Sequence, residues 1–271
     1  MNDSGAHETA RQIEQTRWFR ALARSGYAAN GLLHLLIGVI VLVIASGGRG
    51  DGDQAGALRA IVAAPLGGLA LAVLAAALGA LGIWHVLDGL LVRGPVAGSF
   101  FRKWGGRIAE WGQALVFLAL GVIAASVALG ARPKADESAV EASRGLIELL
   151  GGVFVLALIG LGIGIGGIAF IVMGFLRSFR KKMTIPGGTS GALITTLGAV
   201  GFVAKGAALA IVGVLLLVAA ARNDPERAGG LDAAIDALLQ VTAGPMLVTV
   251  VGAGFIAYGV FCFFRARYAS L

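Results

Sequence analysis

The sequence predicts an all-α, polytopic membrane protein, with six transmembrane helices arranged as three parallel hairpin repeats around a pseudo-threefold axis. Three observations carry this expectation. Hydrophobic residues make up 58% of the 271-residue chain and charged residues only 14%, with a mean hydropathy of +0.87, outside the balance of a water-soluble domain. Six apolar runs reach the roughly 20 residues that a helix needs to cross about 30 Å of hydrocarbon. The third observation is a recurrence of glycine, of which the chain has 43, at matching places in successive runs. With aromatics at only 7%, the helices are expected to approach through small residues rather than through large rings.

In chain order, residues 1 to 17 form a polar tail with Asp3, Glu8, Glu14, Arg11 and Arg17. The tail lacks the apolar stretch and small-residue cleavage site of a signal peptide, so it is expected to remain on the protein. The spans follow at about 26–46, 66–91, 108–130, 149–176, 193–221 and 243–264. They must be helical, because lipid satisfies no exposed backbone group, and the alternating strands of a barrel are absent from the pattern. Three amphipathic stretches, Gln54 to Ala63, Ser138 to Leu150 and Leu231 to Gln240, each precede a returning span. They read as interfacial connectors that tuck apolar residues against the bundle, with partner docking as the alternative.

The net charge of +7 would suggest a nucleic-acid partner in a soluble protein, but here the basic residues sort by side of the bilayer, and no nucleic acid is expected. Fourteen Lys and Arg, among them Arg24, Arg93, Arg107, Arg177, Lys181 and Arg265, fall on the side of both termini, against seven in the opposite loops. Those opposite loops hold ten acids, including Asp53, Asp136, Asp232 and Asp236. The positive-inside rule therefore places both termini in the cytoplasm. A single cysteine, Cys262, excludes a disulfide framework and a thiolate zinc cluster.

Internal repetition is read from a glycine eleven residues before an arginine in each even-numbered span: Gly82 with Arg93, Gly166 with Arg177, Gly254 with Arg265. Gly38, Gly121 and Gly213 mark the odd-numbered spans. The units are expected at 18–98, 99–183 and 184–271, all inserted in the same sense because each has an even number of spans. With Arg24, Gly26, Tyr27, Asn30 and Gly31 beside Gly38, the chain resembles the bacterial membrane proteins grouped as domain of unknown function 1206, built from three copies of a two-span module. That resemblance implies a multi-pass protein of the bacterial plasma membrane, and it implies no activity or functional residues. The copies depart from one another where Tyr27 corresponds to Glu110 and Phe202, and Asn30 to Gln113 and Lys205.

Ionisable groups inside spans cost about 2.5 to 3.5 kcal/mol near the bilayer centre, so each needs a partner, a cavity or an interface. They are His34, His85, Asp88, Glu110 and Lys205, joined by neutral Asn30 and Gln113, and all seven fall in the cytoplasmic half. Asn30, His34, Glu110, Gln113 and Lys205 lie on equivalent helix faces and predict a polar vestibule open to the cytoplasm, admitting a small ion or polar solute. A structural ion pair of Lys205 with Glu110 or Asp88, or snorkelling of Lys205, is the plainer alternative. His34, His85 and Asp88 form a candidate proton or metal site, and two facing imidazoles could instead ligate haem, although hydrogen bonding within the hairpin is the ordinary fate of such histidines and no cofactor is expected. Trp84, Trp104 and Trp111 are expected in an interfacial belt.

Two further functional classes stand beside the permease. One is a non-enzymatic scaffold or accessory subunit that binds a membrane protein partner. The other is a redox or metal protein using His34 and His85. No nucleophile with an adjacent base or pair of catalytic carboxylates predicts an enzyme, and the dinucleotide-like Gly162, Gly164 and Gly167 sit inside a span without the strand that such a motif requires.

Overall fold

A computed structural model of the protein describes residues 17–91, 100–132 and 135–269. The expected tail up to residue 16, and the basic positions Arg93 and Lys134, lie outside the described residues. Nine α-helices follow in order among them: α1 Arg17–Ala45, α2 Gln54–Val62, α3 Gly67–Leu91, α4 Phe100–Ala128, α5 Ala135–Ile147, α6 Gly152–Leu176, α7 Gly188–Arg222, α8 Leu231–Leu239 and α9 Gly244–Tyr268. Six of these (α1, α3, α4, α6, α7 and α9) are long and apolar enough to cross a membrane. The three short ones, α2, α5 and α8, occupy the predicted amphipathic stretches.

The chain divides into two compact units. The first comprises residues up to Asn30, 61–131 and from Arg265 onward, so it holds the start of α1, all of α3 and α4, and the end of α9. The second comprises 31–60 and 132–264.

In the first unit α3 and α4 lie backbone against backbone. A Cβ built on Gly121 would stand 3.3 Å from the carbonyl oxygen of Ala75 and from the amide nitrogen of Gly79, and one on Gly82 would stand 3.1 Å from the Leu118 nitrogen. In the second unit α6 and α7 meet in the same way: Gly213 faces the Gly160 oxygen and the Gly164 nitrogen, while Gly167 faces the Ala210 nitrogen. The same contacts join α9 to α1, where Gly38 faces the Gly252 oxygen and the Ile256 nitrogen, and Gly259 faces the Leu35 nitrogen. With little apolar driving force between helices in lipid, such close approach supplies the dispersion contacts and is open only to residues without side chains.

These contacts single out other glycines than the glycine-to-arginine spacing does. Gly82, Gly167 and Gly259 face the backbone nitrogens of Leu118, Ala210 and Leu35 on a neighbouring helix. The reason is the direction each one faces. A Cβ on Gly166 would meet nothing within 4 Å, and one on Gly254 would strike Ala204 of α7 instead of α1.

Each short helix caps the second unit. Ala55, Ala57 and Leu58 of α2, and Ala234 and Ile235 of α8, are buried, so these amphipathic helices turn their apolar residues inward. Asp53 caps α2 by accepting the Gly56 N–H at 2.7 Å, and Asp232 and Asp136 accept from the backbone of other loops, Gly52 N–H at 2.9 Å and Gly230 N–H at 2.7 Å. Burial pushes the Asp53 carboxyl up. Burial also lifts Asp232 to about 6, with the nearby Asp136, Asp53 and Asp236 adding to the rise and the Gly52 N–H opposing it.

Candidate functional site

Within the first unit the α3/α4 crossing sets the site. Gly82 lets Leu118 close in on one side of it, and Gly89 lets Trp111 and the Cβ of Glu110 close in on the other. Between these two glycines, His85 on α3 meets Glu110 on α4, with His85 Nδ1 2.8 Å from Glu110 Oε2. Both residues are buried, at 2% and 4% exposure. Asp88 stands one helical turn beyond His85 on the same face, half-buried. One imidazole nitrogen of His85 and one oxygen each of Asp88 and Glu110 all lie within 4.8 Å of one another.

Aromatic rings wall this cluster. Phe117 stacks on the His85 ring at 5.3 Å, and Tyr27 meets it edge-on at 6.3 Å. The Arg265 guanidinium lies 4.4 Å over the Tyr27 ring. The apolar walls lower the local dielectric and strengthen every interaction among the charged groups they enclose.

The second unit holds the other two intramembrane ionisable residues. His34 is buried against Phe255 and Tyr258, with its ring 4.7 Å from that of Tyr258. Lys205, half-buried on α7, sets its Nζ 4.7 Å from the Tyr258 ring centroid and 5.5 Å from that of Phe170. Tyr258 therefore serves both His34 and Lys205, a role that the sequence reading missed. Beside it lie Phe202 at 5.3 Å and Phe261 at 6.3 Å, and Phe179 packs on these two rings at 5.3 and 5.0 Å.

The predicted site residues thus sort by unit. Asn30, His85, Asp88, Glu110 and Gln113 belong to the first, with Asn30 buried and Gln113 half-buried; His34 and Lys205 belong to the second. Within the first unit Glu110 pairs with His85. Glu110 also joins His85 and Asp88 of the predicted proton or metal site. Trp84 is buried at 5% exposure and belongs to the core, not to an interfacial belt.

Six long apolar helices, and charged side chains enclosed between them, define an integral membrane protein with several spans. The family described as Domain of Unknown Function (DUF1206) matches residues 25–91 and 200–269, half of the chain, and the protein belongs to that family. The first matched region runs from α1 through α2 to α3, and the second from within α7 through α8 to α9, so each is a span, a short helix and a returning span. The chain is also similar to the uncharacterized protein YxxB of Bacillus subtilis (strain 168), 26% identical over 271 residues, which covers 95% of this chain and 94% of that protein. No solved structure matches.

Proposed function

We propose that this protein is a permease-like or channel-like bundle that admits a small ion or polar solute from the cytoplasmic side. It is built from three two-span units related by a threefold axis along the membrane normal. The repeated glycine contacts in the three helix pairs, and the family's match to two separate span–helix–span regions, support the repetition. Orientation with both termini in the cytoplasm rests on the distribution of Lys and Arg.

The observation that carries the functional reading is the buried His85–Glu110 pair inside two spans. A bundle needing only stability has no reason to bury a carboxylate at a cost of several kcal/mol. Asn30, His34, Gln113 and Lys205 extend the set of polar groups that a solute would meet. Flux measured in proteoliposomes for protons, potassium, sodium and chloride tests it, with Glu110→Gln and Lys205→Met beside the wild type. Flux lowered in the variants supports the reading. Folded wild type that passes none of these ions, or flux unchanged by both substitutions, counts against it.

A second, non-enzymatic reading as a scaffold or accessory subunit is favoured by α6. Only 17% of its most apolar window is covered, and Gly162 and Gly166, one turn apart, face open space as a helix-docking stripe would. Gentle extraction without any co-purifying membrane protein would remove that reading.

A further inference from the structure

We infer that His85, Asp88 and Glu110 form a binding site for a single divalent first-row transition-metal ion of the zinc class, held between α3 and α4. This goes beyond the permease reading and does not depend on it, because an ion can be resident whether or not the bundle passes a solute.

The three donors converge. His85 and Asp88 share one face of α3, three residues apart, and the close α3/α4 crossing delivers Glu110 to them. The three donor atoms lie within 4.8 Å of one another, and one pair is already at 2.8 Å. Donors about 2.0 to 2.2 Å from a common ion are roughly 3 to 3.5 Å apart, so modest side-chain rotation completes the set. Three protein ligands leave a further position open for water or solute, the arrangement of reactive rather than purely structural zinc sites.

Two carboxylates and a neutral imidazole balance a divalent cation to zero, the condition under which charged groups are tolerated in a low-dielectric interior. Imidazole with carboxylate oxygen suits zinc, cobalt, manganese and ferrous iron, and it is a poor match for the softer cuprous ion.

His85 Nε2 is buried and has no hydrogen-bond partner among the described residues, so the polar contact of the ring is the Nδ1 side that faces Glu110. An ion taken up there would bind Nδ1 in place of that hydrogen bond, while Nε2 keeps the proton.

The α6/α7 crossing separates this cluster from mere packing. Aligned on the glycine contacts, Phe170 stands three residues after Gly167 as His85 does after Gly82, and Phe202 stands eight before Ala210 as Glu110 does before Leu118. Phe170 and Phe202 pair at 5.7 Å in their helix crossing. The same position is therefore filled well by two apolar rings elsewhere in the molecule. The helix crossing by itself therefore does not require a histidine and two acids at α3/α4, and their convergence is what an ion would use.

The test uses the full-length protein without a histidine tag, purified in mild detergent and stripped with a chelator. Co²⁺ is titrated and followed by its visible absorption, then displaced with Zn²⁺. One cobalt ion per chain, with the spectrum lost on adding zinc, is expected. Glu110→Gln keeps the side-chain volume and a hydrogen-bonding group for His85, and Asp88→Asn alters a half-buried position; circular dichroism verifies that both fold. Each should weaken cobalt binding at least about 100-fold, since even outer-shell partners are worth 10- to 100-fold. Wild type that binds no cobalt, or folded variants that bind it as the wild type does, would overturn the site. Neither result would bear on ion flux, which is measured separately.

Discussion

Replacing Gly213 by alanine should separate two helices that its neighbour Gly166 leaves untouched. A Cβ on Gly213 would stand 2.6 Å from the Gly164 nitrogen, 2.7 Å from its Cα and 2.8 Å from the Gly160 oxygen. All three are backbone atoms, so no side chain can rotate away. Ordinary contact begins at 3.4 Å, and α6 must therefore withdraw from α7 by about 0.8 Å, loosening every contact along the crossing. Overpacking of this kind costs about 1 to 3 kcal/mol, or roughly 5- to 150-fold in the unfolding equilibrium. Gly166→Ala adds the same methyl group to the same helix pair, where nothing lies within 4 Å. There the gain in helix propensity should leave stability unchanged or raise it by up to about 1 kcal/mol. Reversible unfolding in mixed micelles of mild and denaturing detergent, followed by far-ultraviolet circular dichroism, measures both. Equal stabilities for the two variants, or a larger loss in Gly166→Ala, would refute the claim that backbone contact at the first set of glycines holds the helix pairs together.

Other expected outcomes follow from the same geometry. Glu110→Ala should cost about 1 to 3 kcal/mol by leaving the buried His85 Nδ1 without its hydrogen-bond partner, whereas the double variant His85→Phe with Glu110→Met should match the wild type or exceed it by about 1 to 4 kcal/mol, because two apolar groups fill the equivalent place in the α6/α7 crossing. The same detergent unfolding assay distinguishes these, and a double variant as unstable as Glu110→Ala would break the correspondence between the two crossings. Asp232 provides the pH test: burial raises its folded pKa to about 6 from the ordinary 3.8, so the folded state binds the extra proton. Stability is then greatest below 3.8 and lost as pH rises through about 6, and Asp232→Asn should flatten that dependence while keeping an acceptor for the Gly52 N–H. Unfolding midpoints that fall on acidification through this window, or an unaltered profile in Asp232→Asn, would contradict the assignment.

The spans and the short interfacial helices were legible because hydropathy is a local property. Residues 54 to 63 announce an amphipathic helix in their own side chains, and α2 occupies Gln54–Val62. The polar residues inside the spans were legible for the same reason, since each is expensive in lipid whatever its neighbours. Their partners were not. The sequence offered His34 with His85 and Asp88, and Glu110 or Asp88 for Lys205, and it did not single out His85 with Glu110, because position along a helix is a one-dimensional criterion. Which residues meet depends on helix rotation and crossing, and these are set by Gly82 and Gly89 admitting α4 against α3.

The glycines show the same division. Spacing to an arginine selects Gly166 and Gly254, yet it is Gly167 and Gly259 that face a neighbouring helix backbone as Gly82 does, one or five residues further along a helix that turns by about 100° per residue. By itself, then, the chain determined how many times it can cross the bilayer, where the connectors lie and which side chains are costly to bury. Only the tertiary structure decided that the His85 imidazole would find Glu110 and Asp88, and that Lys205 would lie over Tyr258 and Phe170. Hydrophobic transfer acts residue by residue along the chain, whereas close packing and ion pairing act between helices, where a one-residue rotation exchanges one partner for another.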